Sequence, residues 1–100
     1  RVSQQTVLLS YWRYKTMLER IDKTKPIEVH VRFRDGHRTH DEVIGVTDDP
    51  TNVPEIVEKY IESTMGTAPY VEYKTNHNQV IVDYASYNSH IYCTNLRLHL

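Results

Sequence analysis

The sequence predicts an α+β domain in which two helices pack on one face of a mostly antiparallel sheet of about five strands. Two segments carry apolar residues at the three-to-four spacing of an amphipathic helix, and shorter runs alternate apolar and polar residues as half-buried strands do. An Asp-Gly pair between two such runs is typical of a β-hairpin. The predicted order is α-β-β-α-β-β-β, and 100 residues fit a single domain over residues 1–100.

The first predicted helix spans residues 4–22, behind Ser3 as a suitable N-cap. The segment contains no proline or glycine, and Pro26 disfavours a helical residue just before it. Tyr14 and Met17 widen the apolar face, which is either the core side of the helix or a contact for a partner or a second copy of the chain. The residues that share this face are Val7, Leu8, Tyr11, Trp12, Leu18 and Ile21.

The predicted hairpin turns at Asp35-Gly36, between the strands IEVHVRFR and RTHDEVIGV. In the first strand Ile27, Val29, Val31 and Phe33 alternate with Glu28, His30, Arg32 and Arg34. A two-residue turn predicts the cross-strand pairs Arg34 with His37, Arg32 with Thr39, and His30 with Asp41. A three-residue loop would instead pair Val29 with Val43 and put Asp41 opposite Val31.

The segment TDDPTNVPEIVEKYIESTMG predicts the second helix. Asn52 is the expected N-cap, with Glu55 three residues on as in a capping box, and Pro54 is tolerated in the first turn. Gly66 is a natural stop. The expected apolar stripe comprises Val53, Ile56, Val57, Tyr60, Ile61 and Met65.

The last third predicts a three-stranded meander with the strands YVEYK, QVIVDYASY and HIYCTNLRLHL. Asparagine-rich segments separate them, as turns favour. Val80, Val82 and Tyr84 share one face of the middle strand. The residues expected to share a face of the final strand are Tyr92, Thr94, Leu96, Leu98 and Leu100.

The composition excludes several classes of protein. The net charge is −1, from 12 basic and 13 acidic residues, so nucleic-acid binding would need a local basic patch. Three glycines are too few for a phosphate-binding loop, and no apolar run is long enough to span a membrane. The single cysteine, Cys93, cannot form an internal disulfide, which fits a reducing compartment and predicts a cytoplasmic protein.

The hairpin contains the best candidate site, a basic ridge made by His30, Arg32, Arg34, His37 and Arg38, with Asp41 as a sixth partner-binding residue. Arginine suits bidentate contact with carboxylate or phosphate, which predicts an acidic partner surface. The alternative is an ordinary solvated strand face with cross-strand pairs such as His30 with Asp41. His37 and His40 are three apart and point to opposite faces of a strand, so they do not predict a metal site.

Other candidate sites have weaker support. The six histidines lack the paired spacing of a zinc site, so no metal or cofactor is predicted. His77, His90 and Cys93 would support an enzyme only if they converged in a pocket. Five tyrosines in the meander could stack on the bases of single-stranded nucleic acid. These are Tyr70, Tyr73, Tyr84, Tyr87 and Tyr92.

Together these observations predict a non-enzymatic protein-interaction module, such as a small adaptor, regulator or inhibitor, that binds an acidic protein surface through the basic hairpin. The alternative is a nucleic-acid-binding domain that uses the same hairpin with the sheet tyrosines. An exposed edge strand, the final one in the predicted meander, is a further surface for pairing with a partner.

Overall fold

A computed structural model describes residues 14–86 and 88–99 of the chain. The order of elements in this part is β-β-β-α-β-β-β-β, so the α+β class is confirmed and the predicted order with two helices is not. The elements are β1 (Leu18–Arg20), β2 (Ile27–Asp35), β3 (Arg38–Thr47), a 3₁₀ turn (Pro50–Asn52), α1 (Val53–Met65), β4 (Glu72–Asn76), β5 (Gln79–Asp83), β6 (Ser89–Cys93) and β7 (Leu96–Leu98).

Two antiparallel sheets organise the described residues. The larger has five strands in the order β3-β2-β6-β5-β4, and β1 pairs with β7 in the smaller. The predicted five-stranded antiparallel sheet is therefore confirmed. Because β6 enters between β2 and β5, the sheet joins the first hairpin to the second through a central strand, and β3 and β4 form its edges.

The hairpin is present, but its register differs from both predicted registers. Asp35 pairs with Arg38, so the turn residues are Gly36 and His37. Gly36 takes a positive φ of 62°, as a glycine does in the first central position of a type II′ turn. The turn thus lies one residue later than predicted. The resulting pairs are Arg34 with Thr39, Phe33 with His40, Arg32 with Asp41, and His30 with Val43.

The prediction for the first helix is wrong at its C-terminal end, and residues 4–13 lie outside the described residues. Residues 14–15 are helical, but Leu18–Arg20 forms a strand paired with Leu96–Leu98. Leu18 is buried and Ile21 is 51% exposed, so these two residues do not share one buried face. The pairing strand is distant in sequence, and its contacts override the local helical pattern.

The predicted final strand is divided into two. Ser89–Cys93 lies in the large sheet, and Leu96–Leu98 lies in the small one. Asn95 between them has a φ of 58° and its side chain hydrogen-bonds the main chain of Asp22 and Lys25 at distances between 2.7 and 2.8 Å. Because of this break, Tyr92 and Leu96 lie in different strands, and the prediction that they share one strand face is wrong.

The helix α1 confirms the second predicted helix and most of its apolar stripe. Val53, Val57 and Ile61 are buried against the sheet, whereas Met65 is 42% exposed, contrary to the prediction. The capping prediction is also wrong, because Asn52 already has helical φ and ψ and makes no side-chain cap. Asp49 instead accepts from the backbone N–H of Thr51 and begins the preceding 3₁₀ turn.

The core lies between α1 and the face of the large sheet that we call the inner face. Strand alternation directs one set of side chains to this face and the other set to the opposite, outer face. The fully buried inner residues on the three central strands are Ile27, Val29, Val31, Val80, Val82, Ile91 and Cys93. No helix in the described part of the chain is long and apolar enough to cross a membrane.

Candidate functional site

The outer face of the large sheet carries most of the polar side chains that sequence analysis selected. His30, Arg32 and Arg34 project from β2, where they alternate with buried valines. Arg32 lies directly between Asp41 of β3 and His90 of β6, because β2 separates those strands. The sheet thus brings side chains from three strands into one row.

Asp41 is the centre of a hydrogen-bonded network that we call the outer-face network. Its Oδ2 accepts from Arg32 Nη2 at 3.2 Å and Nε at 3.3 Å, and the hydroxyl of Tyr92 donates to the same oxygen. Its Oδ1 lies 2.9 Å from Nδ1 of His30. Glu28 completes the network through His30. Each carboxylate oxygen of Asp41 is therefore satisfied by the protein itself.

His30 lies between two carboxylates. Nδ1 contacts Asp41, and Nε2 is 2.9 Å from Oε1 of Glu28. The imidazolium form has two N–H donors and matches both oxygens, whereas a neutral imidazole has only one. The ring also stacks on Tyr92, with centroids 4.8 Å apart and planes inclined by 11°. Both ring nitrogens of His30 therefore face carboxylate oxygens of the protein.

The contacts of the network shift the pKa values of its members in opposite directions. The Tyr92 hydroxyl, and after it His30 and Arg32, hold the pKa of Asp41 below its usual value near 3.8. The hydrogen bond to Asp41 raises the pKa of Arg32. Burial, followed by the bond to Asp41, raises the pKa of Tyr92, so its phenol stays protonated at neutral pH.

Arg32 is consequently a neutralised cation. Its guanidinium bonds Asp41 and lies over the Tyr92 ring, 4.8 Å from the centroid, although its side chain is 47% exposed. Such a contact combines an ion pair with a cation–π interaction. The predicted contact between His30 and Asp41 exists as well, but as a diagonal one, because the register places His30 opposite Val43.

The remaining three predicted residues lie at what we call the hairpin tip, formed by Arg34, His37 and Arg38. All three are exposed. Within residues 14–86 and 88–99, no acidic side chain is within ion-pairing distance of any of them, and the nearby Asp35 lies 3.9 Å from His40 instead. The six predicted residues therefore divide into three that bond one another, His30, Arg32 and Asp41, and three that have no acidic partner in the described residues.

An open depression of about 750 Å³ lies on the outer face beside the tip. Its walls are rich in hydrogen-bond donors and contain one apolar residue, Ile81. Lys74 at one end is held by Asp83 at 3.4 Å and Glu72 at 3.7 Å. The other lining residues are Arg32, Arg34, Thr39, Thr75, Asn76, Ser86, Asn88, Ser89 and His90.

The tyrosines of the meander are mostly buried. Tyr73, Tyr84 and Tyr92 are at most 8% exposed, and Tyr70 is 45% exposed. Tyr87 lies outside the described residues. Because stacking on a base requires an exposed ring, the described residues offer one such ring, Tyr70, whose hydroxyl is 3.4 Å from Asp83.

Cys93 does not have the properties of a nucleophile. The thiol lies in the central strand β6 and is 1% exposed. Burial raises the pKa of Cys93 to about 12, so the reactive thiolate is scarce at neutral pH. His77 occupies the β4–β5 turn with a φ of 51°, and His90 lies on the outer face, so the three residues named as enzyme candidates occupy different places.

Sequence reasoning missed the part that Tyr92 plays in the site. It placed this residue on a face with Leu96, and only the strand order brings Tyr92 within reach of Asp41. Glu28 was more accessible to prediction, because it lies two residues before His30 on the same strand and therefore on the same face.

The chemistry available on the outer face is recognition by donors and charges. Among the described residues, no group of three or more His, Cys, Asp or Glu side chains is arranged to hold a metal ion. Side-chain hydrogen-bond donors without a partner in the described residues lie at His90 and at the hairpin tip. Comparison with protein-family models, with curated proteins and with solved structures finds no match to this chain, so its function has to be argued from these side chains.

Proposed function

We propose that this chain is a non-enzymatic protein-interaction module, a small adaptor, regulator or inhibitor, that binds an acidic surface of a partner protein through the hairpin tip. The observation that carries this proposal is the contrast within the hairpin. Asp41 pairs with Arg32 and, together with Glu28, hydrogen-bonds His30, whereas the two arginines of the tip have no acidic partner in the described residues. The free cysteine fits a reducing compartment such as the cytoplasm.

The shape of the hairpin supports the same function. Strands β2 and β3 are 9 and 10 residues long, and their paired backbones continue to Asp35 and Arg38. The tip is therefore presented on a hydrogen-bonded scaffold, which limits the ordering entropy that binding would cost. Arginine also offers planar donors that match a carboxylate in bidentate geometry.

Nucleic-acid binding by the same hairpin has less support. The tyrosines that would stack on bases are mostly buried, and Tyr92 is covered by Arg32 and His30. Four carboxylates lie on the outer face beside the basic residues and would repel a continuous polyanion. They are Glu28, Asp41, Glu72 and Asp83.

Three labelled probes test the proposal: a short Glu-Ser peptide, the same peptide with Gln in place of Glu, and single-stranded oligothymidylate. Of the three probes, the wild-type protein should bind the Glu-Ser peptide most tightly. Binding should weaken as the salt concentration rises toward about 1 M, where the Debye screening length falls to about 3 Å. The double variant Arg34→Ala, Arg38→Ala should lose roughly tenfold in affinity, since exposed charge pairs contribute up to about 1 kcal/mol each.

Lys23→Ala with Lys25→Ala is the matched control. It removes the same charge from exposed positions in the loop before β2, at the far end of that strand. This variant should bind the Glu-Ser peptide like the wild type. Equal losses in both double variants, or preferential binding of oligothymidylate, would contradict the proposed function.

A further inference from the structure

We propose that the depression beside the hairpin tip contains a seat for a single carboxylate side chain of the partner, formed by Arg34, His90 and the free edge of Arg32. This inference rests on the proposed function and adds to it a defined contact point on the outer face. We call these three residues the anion seat. Its ligand class is the Asp or Glu side chain of a protein segment.

The strand register places the three residues of the seat together. Arg32 is directly opposite His90, and Arg34 is two residues further along β2 on the same face. The backbone N–H of Arg34 donates to the carbonyl of Asn88 at 2.9 Å, and the Asn88 amide donates to the Arg34 carbonyl at 3.0 Å. These two bonds fix the backbone from which the Arg34 side chain projects.

Several hydrogen-bond donors of the anion seat have no acceptor partner within the described residues. Arg32 uses Nε and Nη2 on Asp41, and its second terminal nitrogen makes no hydrogen bond within the described residues. In the same part of the chain, Arg34 has no carboxylate partner, and the ring of His90 has Tyr92 as a neighbour at 6.3 Å but no hydrogen bond. A guanidinium pair with an adjacent imidazole can bind one carboxylate by charge-assisted hydrogen bonds.

The far end of the depression limits the ligand to a single acidic group. There Lys74 is shared between Asp83 and Glu72, so two carboxylates face one ammonium group. An acidic residue in a bound segment is stabilised at the Arg34 end and repelled at the Lys74 end. A segment that places one carboxylate in the depression therefore fits better than a phosphate backbone.

Thr39 offers a direct test, because it lines the depression and pairs with Arg34 on the same face. Thr39→Glu should occupy the seat with the protein's own carboxylate and reduce affinity for the Glu-Ser peptide by at least about tenfold. Thr39→Gln should bind within about twofold of the wild type. Thr67→Glu makes the same substitution at an exposed position in the loop after α1, outside the depression, and should also stay within about twofold.

Amide chemical shifts provide a second measurement with the wild-type protein. Titration with the Glu-Ser peptide should move the signals of Arg34, Asn88 and His90. If Thr39→Glu binds like Thr39→Gln while Arg38→Ala weakens binding, the seat is refuted and the tip function stands. If the peptide does not bind the wild type, both fail. If oligothymidylate binds with the same Thr39→Glu sensitivity, the seat is a phosphate site and the carboxylate assignment is wrong.

Discussion

The hydroxyl of Tyr92 on β6 donates a hydrogen bond to Asp41 on β3, across the intervening strand β2. Two strands that share no backbone hydrogen bond are thereby joined through side chains on the outer face. The strand between them contributes His30 and Arg32, which bond the same carboxylate. This arrangement ties the edge strand β3 to the centre of the sheet and reduces its freedom to separate.

Tyr92→Phe should destabilise the protein by about 1.5 kcal/mol, because the bond that it removes joins a buried donor to a charged acceptor. The ring and its stacking on His30 remain. Urea unfolding followed by circular dichroism measures this change as a lower midpoint with an unchanged slope.

Tyr70→Phe is the matched control for this substitution. Its hydroxyl also contacts an aspartate, Asp83, but at 3.4 Å and from a side chain that is 45% exposed. The control should change stability by less than about 0.5 kcal/mol. Equal effects of the two substitutions would mean that the Tyr92 bond adds nothing beyond an exposed contact.

Acidification should weaken the network at Asp41. The folded protein lowers the pKa of this carboxyl below its unfolded value near 3.8, chiefly through the Tyr92 hydroxyl. Its contribution to stability is therefore complete above that pH and is lost as the pH falls through the lower, folded-state value. The free energy of unfolding of wild type and Asp41→Asn, measured from neutral to strongly acidic pH, should differ most at neutral pH and converge on acidification. A constant difference would contradict the assigned role.

The parts of the fold that sequence predicted correctly depend on local signals. The apolar stripe of Val53, Val57 and Ile61 identifies α1, and the alternation in Ile27–Asp35 identifies β2. Gly36 identifies the hairpin because glycine, which has no Cβ, adopts a positive φ without a steric penalty. Each of these signals lies within a few residues of the element that it determines.

The parts that failed depend on distant contacts. The sequence around Leu18–Arg20 has the pattern of an amphipathic helix. The strand with which this segment pairs, Leu96–Leu98, lies near the other end of the chain. Tyr92 alternates with the buried Ile91 and Cys93 and so lies on the outer face, but only the pairing of β6 with β2 brings it near Asp41. The candidate residues of the hairpin can be selected from the sequence, whereas only the register shows which of them bond Asp41.

Glu58 on α1 should oppose stability at neutral pH. Burial, with repulsion from Glu62 and Glu55, raises its pKa above the usual value near 4.5. The contribution of Glu58 to stability is therefore most favourable below that pH and declines as the pH rises through the folded-state value. Glu58→Gln should stabilise the neutral protein by a few tenths of a kcal/mol, as expected for relief of like-charge pairs on a helix. Thermal unfolding at neutral pH should show the gain, which should vanish at acidic pH. Lower stability of the variant at neutral pH would contradict this assignment.

Cys93 should be protected from alkylation in the folded protein. Its side chain is 1% exposed, and burial raises its pKa to about 12, so labelling requires opening of the central strand. Iodoacetamide at mildly alkaline pH should modify native protein far more slowly than protein unfolded in urea. Mass spectrometry measures both rates on the same sample. Rapid labelling without denaturant would show that β6 is accessible.

Gly45 on β3 should tolerate no side chain while Ile56 remains beneath it. A Cβ at this position would lie 2.6 Å from Cγ2 of Ile56, a distance at which the Ile56 side chain or one of the two elements must shift. Gly45→Ala should cost about 1–3 kcal/mol as an overpacked contact, and Ile56→Ala alone should cost about 2 kcal/mol through lost burial. Because the second change removes the clash, the double variant should be more stable than the sum of the single effects by at least about 0.5 kcal/mol. Additive losses in urea unfolding would show that α1 and β3 do not press together at this glycine.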